Sequence, residues 1–184
     1  LFDGTKVSLN EDTELVFQME SDQERKRIVY LVGEAYFEVK DTAESPFIIH
    51  SQGAKLMVLG TAFNYRSYPH EEREELTVDQ GQVSFTGKSE QATIVVNQGE
   101  SGVLFRDNGL LRRLDKKIPN ATNWKTKEPL SFAADMLLRD IIRSLNRHFD
   151  AQIIVSEPGI LNCHLSLPAG AKELEEILSM ITSV

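Results

Sequence analysis

Gly33-Glu34-Ala35-Tyr36-Phe37-Glu38-Val39 and Val58-Leu59-Gly60-Thr61-Ala62-Phe63-Asn64 decide how the rest of the chain is read. In the first, Ala35, Phe37 and Val39 alternate with Tyr36, Glu38 and Lys40, giving one apolar and one mixed face at the period of two that strands require. Gly33 reads as the turn that opens this strand. Between the two stretches, Ser45-Pro46-Phe47 interrupts the pattern, because proline cannot donate to a sheet ladder and extends the residue before it. Phe47-Ile48-Ile49 restarts it as another strand. Gly60 lies between two apolar runs, where a bulge or close backbone approach leaves no room for a side chain, and Asn64 can close a turn through its own side chain.

Outward from this centre, residues 6 to 114 carry apolar runs of four to seven residues split by Gly, Asn, Asp and charged clusters, the spacing of an all-β domain with short strands. The pattern predicts strands at Lys6–Leu9, Leu15–Met19, Arg27–Leu31, Ala35–Val39, Phe47–His50, Lys55–Leu59, Ala62–Ser67, Glu75–Val78, Gln82–Phe85, Thr93–Val96, Ser101–Phe105 and Leu110–Leu114. Asp79-Gln80-Gly81 and Asp107-Asn108-Gly109 are tight-turn signals, since Asn and Gly tolerate positive φ. The first is expected to join Leu76–Val78 to Val83–Phe85 as a hairpin, the second Val103–Phe105 to Leu110-Leu111. Glu71-Glu72-Arg73-Glu74-Glu75 reads as a solvated loop. The glycines recur without a fixed period, so a sandwich and an irregular solenoid both remain open.

After Leu114 a polar connector, 115 to 128, gives way to helix periodicity. Asp135 is a candidate cap for a helix with Leu138, Ile141, Ile142, Leu145 and Phe149 on one face and Arg139, Arg143 and Arg147 off it. A strand is expected at Gln152–Val155, a turn at Glu157-Pro158-Gly159 and a second strand at Cys163–Leu167. Leu174, Ile177, Leu178 and Ile181 make a second helical face, with Glu173, Glu175 and Glu176 where the helix dipole favours negative charge and Gly170 as the nearest candidate cap. With Leu130–Phe132 as a first strand, the order is β-α-β-β-α, a split βαβ module lacking its closing strand. A right-handed crossover is expected from Leu130–Phe132 to Gln152–Val155. The fold class is therefore mainly β: a twisted solenoid-like or sandwich domain over 1–118, then a small α+β module over 119–184.

The 184 residues are 41% apolar, enough to bury a core. A net charge of -8 repels phosphate backbones and argues against nucleic acid as a partner. No run approaches the ~20 apolar residues of a membrane span. The lone Cys163 excludes an intrachain disulfide. Asn120-Ala121-Thr122 fits a glycosylation sequon and reads as a polar loop.

His50, His70, His148 and His164 lie on unrelated elements, and the adjacent Cys163-His164 would point to opposite faces of a strand, so no metal site is expected. Gly99-Glu100-Ser101-Gly102 does not fit a nucleophile elbow, and neither a Walker loop nor a Rossmann fingerprint occurs. No catalytic residue, cofactor or enzymatic activity is expected. Trp124 reads as sealing the junction between the two parts, since its area stabilises by burial.

The segments GEAYFEV and VLGTAFN with SPF between them, with Asp3-Gly4-Thr5, Gly81-Gln82-Val83, Gln98-Gly99-Glu100 and Trp124 followed by Leu130-Ser131-Phe132, resemble the periplasmic part of FecR-type anti-sigma regulators, the inner-membrane sensors of cell-surface signalling. That family usually has a glycine between the tryptophan and Leu-x-Phe, where this chain has Lys125-Thr126-Lys127-Glu128-Pro129. The resemblance implies a twisted, solenoid-like stack of strands, and a C-terminal module similar to the short domain shared by secretins and TonB-dependent transducers. It also implies a transducer's signalling domain as partner. The opening on Leu1, close to Asp3-Gly4, reads as an excised fragment, and the resemblance implies a preceding sigma-binding cytosolic segment and one transmembrane helix. The missing closing strand leaves a sheet edge unpaired, and Leu165, Ser166 and Leu167 are the candidate partner-binding residues. The competing reading is an envelope protein that binds a carbohydrate or small ligand in a concave pocket. With aromatics at 8%, most of them at core-facing strand positions, that pocket reading is the weaker.

Overall fold

The computed structural model describes residues 1–19, 27–42, 45–89, 92–126, 130–132, 135–149, 151–167 and 173–183. They fall into two compact units, Leu1–Ile118 and Pro119–Val184. The first holds strands β1 (Lys6–Leu9), β2 (Glu14–Met19), β3 (Arg27–Glu38), β4 (Phe47–His50), β5 (Ala54–Val58), β6 (Ala62–Ser67), β7 (Arg73–Gln80), β8 (Gln82–Gly87), β9 (Thr93–Asn97), β10 (Ser101–Phe105) and β11 (Leu111–Leu114). All join one sheet in the order β11-β10-β7-β6-β3-β4-β5-β8-β9, with β1 and β2 also paired to β3.

Strand β3 organises this sheet. Arg27–Val32 lies antiparallel to β2 and its first four residues run parallel to β4, whereas Gly33–Glu38 pairs with β6 and Ala35–Glu38 with β1. The two strands expected on either side of Gly33 are thus one continuous strand, and Gly33 is its bend. There φ is +111°, and a Cβ would sit 2.8 Å from Thr13 Cα, so only glycine fits. The sheet folds at this point. β1, β6, β7, β10 and β11 form one half, β2, β4, β5, β8 and β9 the other, and their inner faces share one core.

Phe37, Phe63, Tyr65 and Leu76 enter that core from the first half, and Phe47, Ile49, Leu56 and Phe85 from the second, all fully buried. Phe37 stacks on Phe63 at 5.1 Å and meets Phe47 edge-on at 6.1 Å; Tyr65 meets Phe85 edge-on at 5.9 Å. Aromatic pairs in these geometries add ~0.5–1.5 kcal/mol beyond area burial. The end strands β9 and β11 come alongside one another without a ladder, leaving the sheet nearly closed and both edges shielded. The sheet is thus a single folded layer, sandwich-like in the facing of its halves.

Turn chemistry acted as expected locally, but strand pairing did not always follow it. Asp107-Asn108-Gly109 closes the β10–β11 hairpin, with Gly109 at φ +68° and the Leu110 N–H donating to Asn108 Oδ1 at 2.9 Å. Asp79-Gln80-Gly81 also turns the chain, with Gly81 at φ +80°, yet β7 and β8 do not pair. β7 lies between β6 and β10, β8 between β5 and β9, so this turn carries the chain between the half-sheets instead of closing a hairpin.

The second unit contains α1 (Asn123–Thr126), β12 (Met136–Leu137), α2 (Leu138–Phe149), a 3-10 helix (Pro158–Asn162), β13 (His164–Leu165) and α3 (Leu174–Thr182). Leu130, Met136, Ile141, Leu145 and Ile177 form its core, with Phe149, Leu174, Leu178 and Ile181 packed around them, so both apolar helix faces lie as the periodicity predicts. The strand content is smaller. Leu130–Phe132 forms no strand, although Leu130 is buried. Asp135 does not cap α2: it adopts φ +62° and its N–H donates to Ser166 Oγ at 2.9 Å, while β12 intervenes before the helix.

Residues 151–155 take up neither helix nor strand, with Ile153 packed into the core and Ile154 81% exposed, and find no ladder among the described residues, so the expected crossover has no strand to reach. Their backbone is held instead by Asn146, whose Oδ1 accepts from the Ile153 N–H at 3.0 Å. Glu157-Pro158-Gly159 opens the 3-10 helix, where the fixed φ of Pro158 suits the first position. Helix α3 starts after Glu173 without a side-chain cap, with Glu175 and Glu176 in its first turn. The candidate cap Gly170 and part of the connector, 127–129, lie outside the described residues. Asn120 turns at φ +57°, and its side chain accepts from the Ser131 N–H and donates to the Ser131 carbonyl, each at 3.0 Å.

Candidate functional site

The residues proposed from sequence as a docking edge lie on and beside β13. Leu165 is half-buried and pairs with Met136, His164 pairs with Leu137, and both Leu165 and Leu167 pack against the core of the second unit. Ser166 is exposed and fixed through its Oγ by the Asp135 N–H. The Cys163 carbonyl accepts from the Leu138 N–H at 2.8 Å, joining this strand to the start of α2. A two-stranded sheet pairs each strand on one side only, so among the described residues the outer edge of β13 carries no ladder.

In the first unit, three arginine–carboxylate clasps were not legible in the sequence. Arg27 donates to Asp3 Oδ2 at 2.8 Å, to the Ser45 carbonyl at 2.7 Å and to the Lys40 carbonyl at 3.0 Å, tying the chain start to the β3–β4 crossover. Glu34, buried beside the Gly33 bend, accepts from Asn10 at 2.9 Å, Asn64 at 2.8 Å and Arg66 at 2.7 Å. Burial would lower the Arg66 pKa, but the charges of Glu34 and Glu71 outweigh it and raise it. Glu74, also buried, accepts from Ser51 at 2.6 Å, the Gly53 N–H at 2.8 Å, Arg106 at 3.0 Å and Tyr65. Burial and the Glu74 charge push the Tyr65 hydroxyl well up, keeping it a donor.

The acidic run 71–75 is therefore no solvated loop. Arg73–Gln80 is a strand, Glu74 and Glu75 are buried, and Glu71 is bound by Arg66 at 3.0 Å. The signal missed was distant: Arg66 on β6 neutralises Glu71 and Arg106, just after β10, neutralises Glu74, while Arg73 pairs with Glu75 within β7. Buried carboxylates persist only when paired and hydrogen-bonded.

Asp3 gives one clasp a measurable pH signature. Burial would raise its carboxyl, but hydrogen bonds from Arg27 and Thr5 and the Arg27 charge hold it below its ordinary value of 3.8. A carboxyl with a depressed folded pKa stabilises the fold above its unfolded pKa, and this contribution is lost as pH falls through the folded value. Chemical denaturation from pH 6 down to acid should show wild type losing stability below about pH 4 more steeply than Asp3→Asn. Parallel curves for the two would show that the pair contributes nothing.

The four histidines lie on separate elements, and among the described residues no group of three or more His, Cys, Asp or Glu side chains is placed to hold a metal ion. His50 stacks on Tyr30 at 5.3 Å; burial, then Lys55, depresses its pKa. Trp124 is half-buried on α1. No helix of the described residues is long and apolar enough to cross a membrane.

The chain matches the FecR protein family over residues 1–84. The resemblance to FecR-type anti-sigma regulators read from Gly33–Asn64 is borne out. Two crystal structures of a candidate anti-sigma factor from Parabacteroides distasonis ATCC 8503 share the fold over all of this chain. The one at 1.65 Å has a TM-score of 0.78 and 24% identity, the one at 2.50 Å a TM-score of 0.76 and 25% identity, and in each 84% of that chain is covered. No curated protein matches the sequence significantly.

Proposed function

We propose that this chain is the periplasmic sensor part of an inner-membrane anti-sigma regulator. It binds the signalling domain of an outer-membrane TonB-dependent transducer and relays that event to a sigma factor through a membrane-spanning and cytosolic segment of the same regulator. The module acts by binding and performs no reaction. The observation that carries this reading is the FecR match over 1–84, with the fold of this chain shared by 84% of a candidate anti-sigma factor. The second unit supports it by offering the outer edge of β13 to a partner strand. In such β-augmentation main-chain hydrogen bonds give affinity and alternate side chains give specificity. Residues 119–184 then serve as the domain similar to the short domain of secretins and transducers.

Capture from an envelope extract, with mass spectrometry of the bound proteins, identifies the transducer; titration with its signalling domain then tests the edge. Ser166→Pro removes a ladder donor, while Ser166→Ala removes only the Oγ that Asp135 uses. The proline variant, folded by circular dichroism, should lose binding at least tenfold, about 1.4 kcal/mol, and the alanine variant should keep it. Unchanged affinity in a folded Ser166→Pro chain removes β13 as the docking edge.

A second reading, an envelope protein binding a carbohydrate or small ligand, draws on a pocket of about 510 Å³ among Gln52, Gly53, Lys88, Leu104, Phe105 and Arg106 at one end of the folded sheet. Saturable binding of an envelope sugar, abolished by Phe105→Ala, would favour it over the signalling role.

A further inference from the structure

The β10–β11 hairpin ends in an asparagine–glycine pair whose chemistry the binding role does not use. Its base is fixed: the Phe105 N–H donates to the Leu110 carbonyl at 2.9 Å, and the Arg106 N–H to the Glu72 carbonyl at 2.9 Å. Its tip is open, with Asp107, Asn108, Gly109 and Leu110 all exposed. A Cβ at Gly109 would meet no neighbouring atom within 4 Å, so water reaches the pair freely. The Leu110 N–H donates to Asn108 Oδ1 at 2.9 Å, which folds the side-chain amide back over the peptide bond between Asn108 and Gly109.

We infer that Asn108 is a modification site, deamidated by its own backbone in the folded hairpin. The Gly109 nitrogen gives up its proton to hydroxide and attacks Asn108 Cγ, forming a new C–N bond. The Cγ–Nδ2 bond then breaks, and Nδ2 departs as ammonia with a proton taken from water. Water next adds to either carbonyl of the resulting cyclic imide and opens it. Cleavage at Cγ leaves aspartate, and cleavage at the Asn108 backbone carbonyl leaves isoaspartate. The net reaction consumes water and releases ammonia, with no oxidant, metal or second protein.

Two features favour the attack. Glycine has no Cβ to obstruct its own nitrogen, and no other asparagine of the sequence precedes a glycine. The Leu110 N–H also faces the oxygen on which charge develops, as an oxyanion donor does. One contact opposes it: the Gly109 N–H donates to the Phe105 carbonyl at 2.9 Å and must let go first. That bond lies at an exposed tip, where local opening costs far less than unfolding the sheet, so the rate follows the tip and not the core.

Either product adds a negative charge to a chain that already carries -8, beside Gly109 on the wall of the pocket described above. The products differ in geometry. Aspartate keeps a side-chain oxygen for the Leu110 N–H. Isoaspartate routes the main chain through Cβ and Cγ, which lengthens the turn and draws the Gly109 N–H away from Phe105, next to the register of Leu104 opposite Leu111.

Incubation of the intact chain at mildly alkaline pH, followed by peptide mapping with mass spectrometry, tests this. Position 108 should convert ahead of every other asparagine, at a rate that rises with hydroxide and stays flat at denaturant concentrations below the unfolding transition. Gly109→Asn, which keeps a residue tolerant of positive φ, should slow conversion at 108 on the order of tenfold by crowding the attacking nitrogen. The isoaspartate fraction, separated by ion exchange, should show faster amide exchange in β10 and β11, whereas Asn108→Asp should match wild type. An Asn108 that persists while an unstructured peptide of residues 102–114 is converted overturns the proposal. A rate that climbs in step with global unfolding assigns the reaction to the unfolded chain and overturns it as well. So does a folded Gly109→Asn chain that converts at the wild-type rate.

Discussion

Phe37→Ala is expected to cost the first unit about 3–5 kcal/mol, the range for emptying a fully buried aromatic site. Phe37 is where the two half-sheets meet: it stacks on Phe63 across β3 and β6 and touches Phe47 from the other half. Its removal opens a void in contact with both layers, and rigid ladders on each side cannot close it. The loss should appear as a lower denaturation midpoint with an unchanged denaturant slope. Val16→Ala, on the exposed side of β2, should stay within about 0.5 kcal/mol of wild type. If Phe37→Ala left the midpoint in place, the assignment of inner and outer faces along β3 would be wrong.

Arg106→Ala should be as damaging for a different reason. Its guanidinium contacts Glu74 Oε1 through Nε at 3.1 Å and Nη2 at 3.0 Å, Ser67 Oγ at 3.0 Å, and the Glu71 carbonyl at 2.6 Å. Glu74 is wholly buried and the arginine side chain only 15% exposed. Removing the cation leaves a buried carboxylate without its counter-charge, which typically costs about 3–5 kcal/mol. Replacing both partners, Glu74→Gln with Arg106→Met, should cost less than the sum of the two single changes, because neither then abandons a charge. A double-mutant cycle measures the difference. Additive losses would show the pair to be uncoupled.

Much of the β unit was legible because its strands obey local rules. Lys6–Leu9, Phe47–His50, Ala62–Ser67 and Ser101–Phe105 have the bounds their apolar alternation predicts. What misled was information that alternation does not carry. Gly33 looks like a turn in sequence, and only the closeness of Thr13, twenty residues earlier, makes it a bend inside a strand. Asp79-Gln80-Gly81 announces a turn, but whether its flanks pair depends on which half-sheet each enters. The acidic run 71–75 looks hydrated until Arg66 from β6 and Arg106 from the turn after β10 arrive.

In the second unit, helix periodicity placed Leu138, Ile141 and Leu145 correctly. The strands were overread: residues 151–155 alternate in burial as a strand should, but a strand needs a ladder partner that pattern alone does not supply. Of the strand expected at Cys163–Leu167, only His164–Leu165 forms β13, and the anchoring of Ser166 by Asp135 was not legible.

The single strand shared by both half-sheets also bears on how the chain reaches its fold. β3 pairs with β1, β2, β4 and β6, and its partners on β6 lie about thirty residues away in sequence. Neither layer can be completed before residues 27–38 are in place, because the pairings of β3 join the two. Hairpins such as β10–β11 can form early and by themselves. The docking of β3 must first close several loops whose entropy cost precedes any gain in contacts. Assembly is therefore an all-or-none search for one central segment, which places the first unit among slow, non-local folders and makes residues 27–38 the natural nucleus of its transition state.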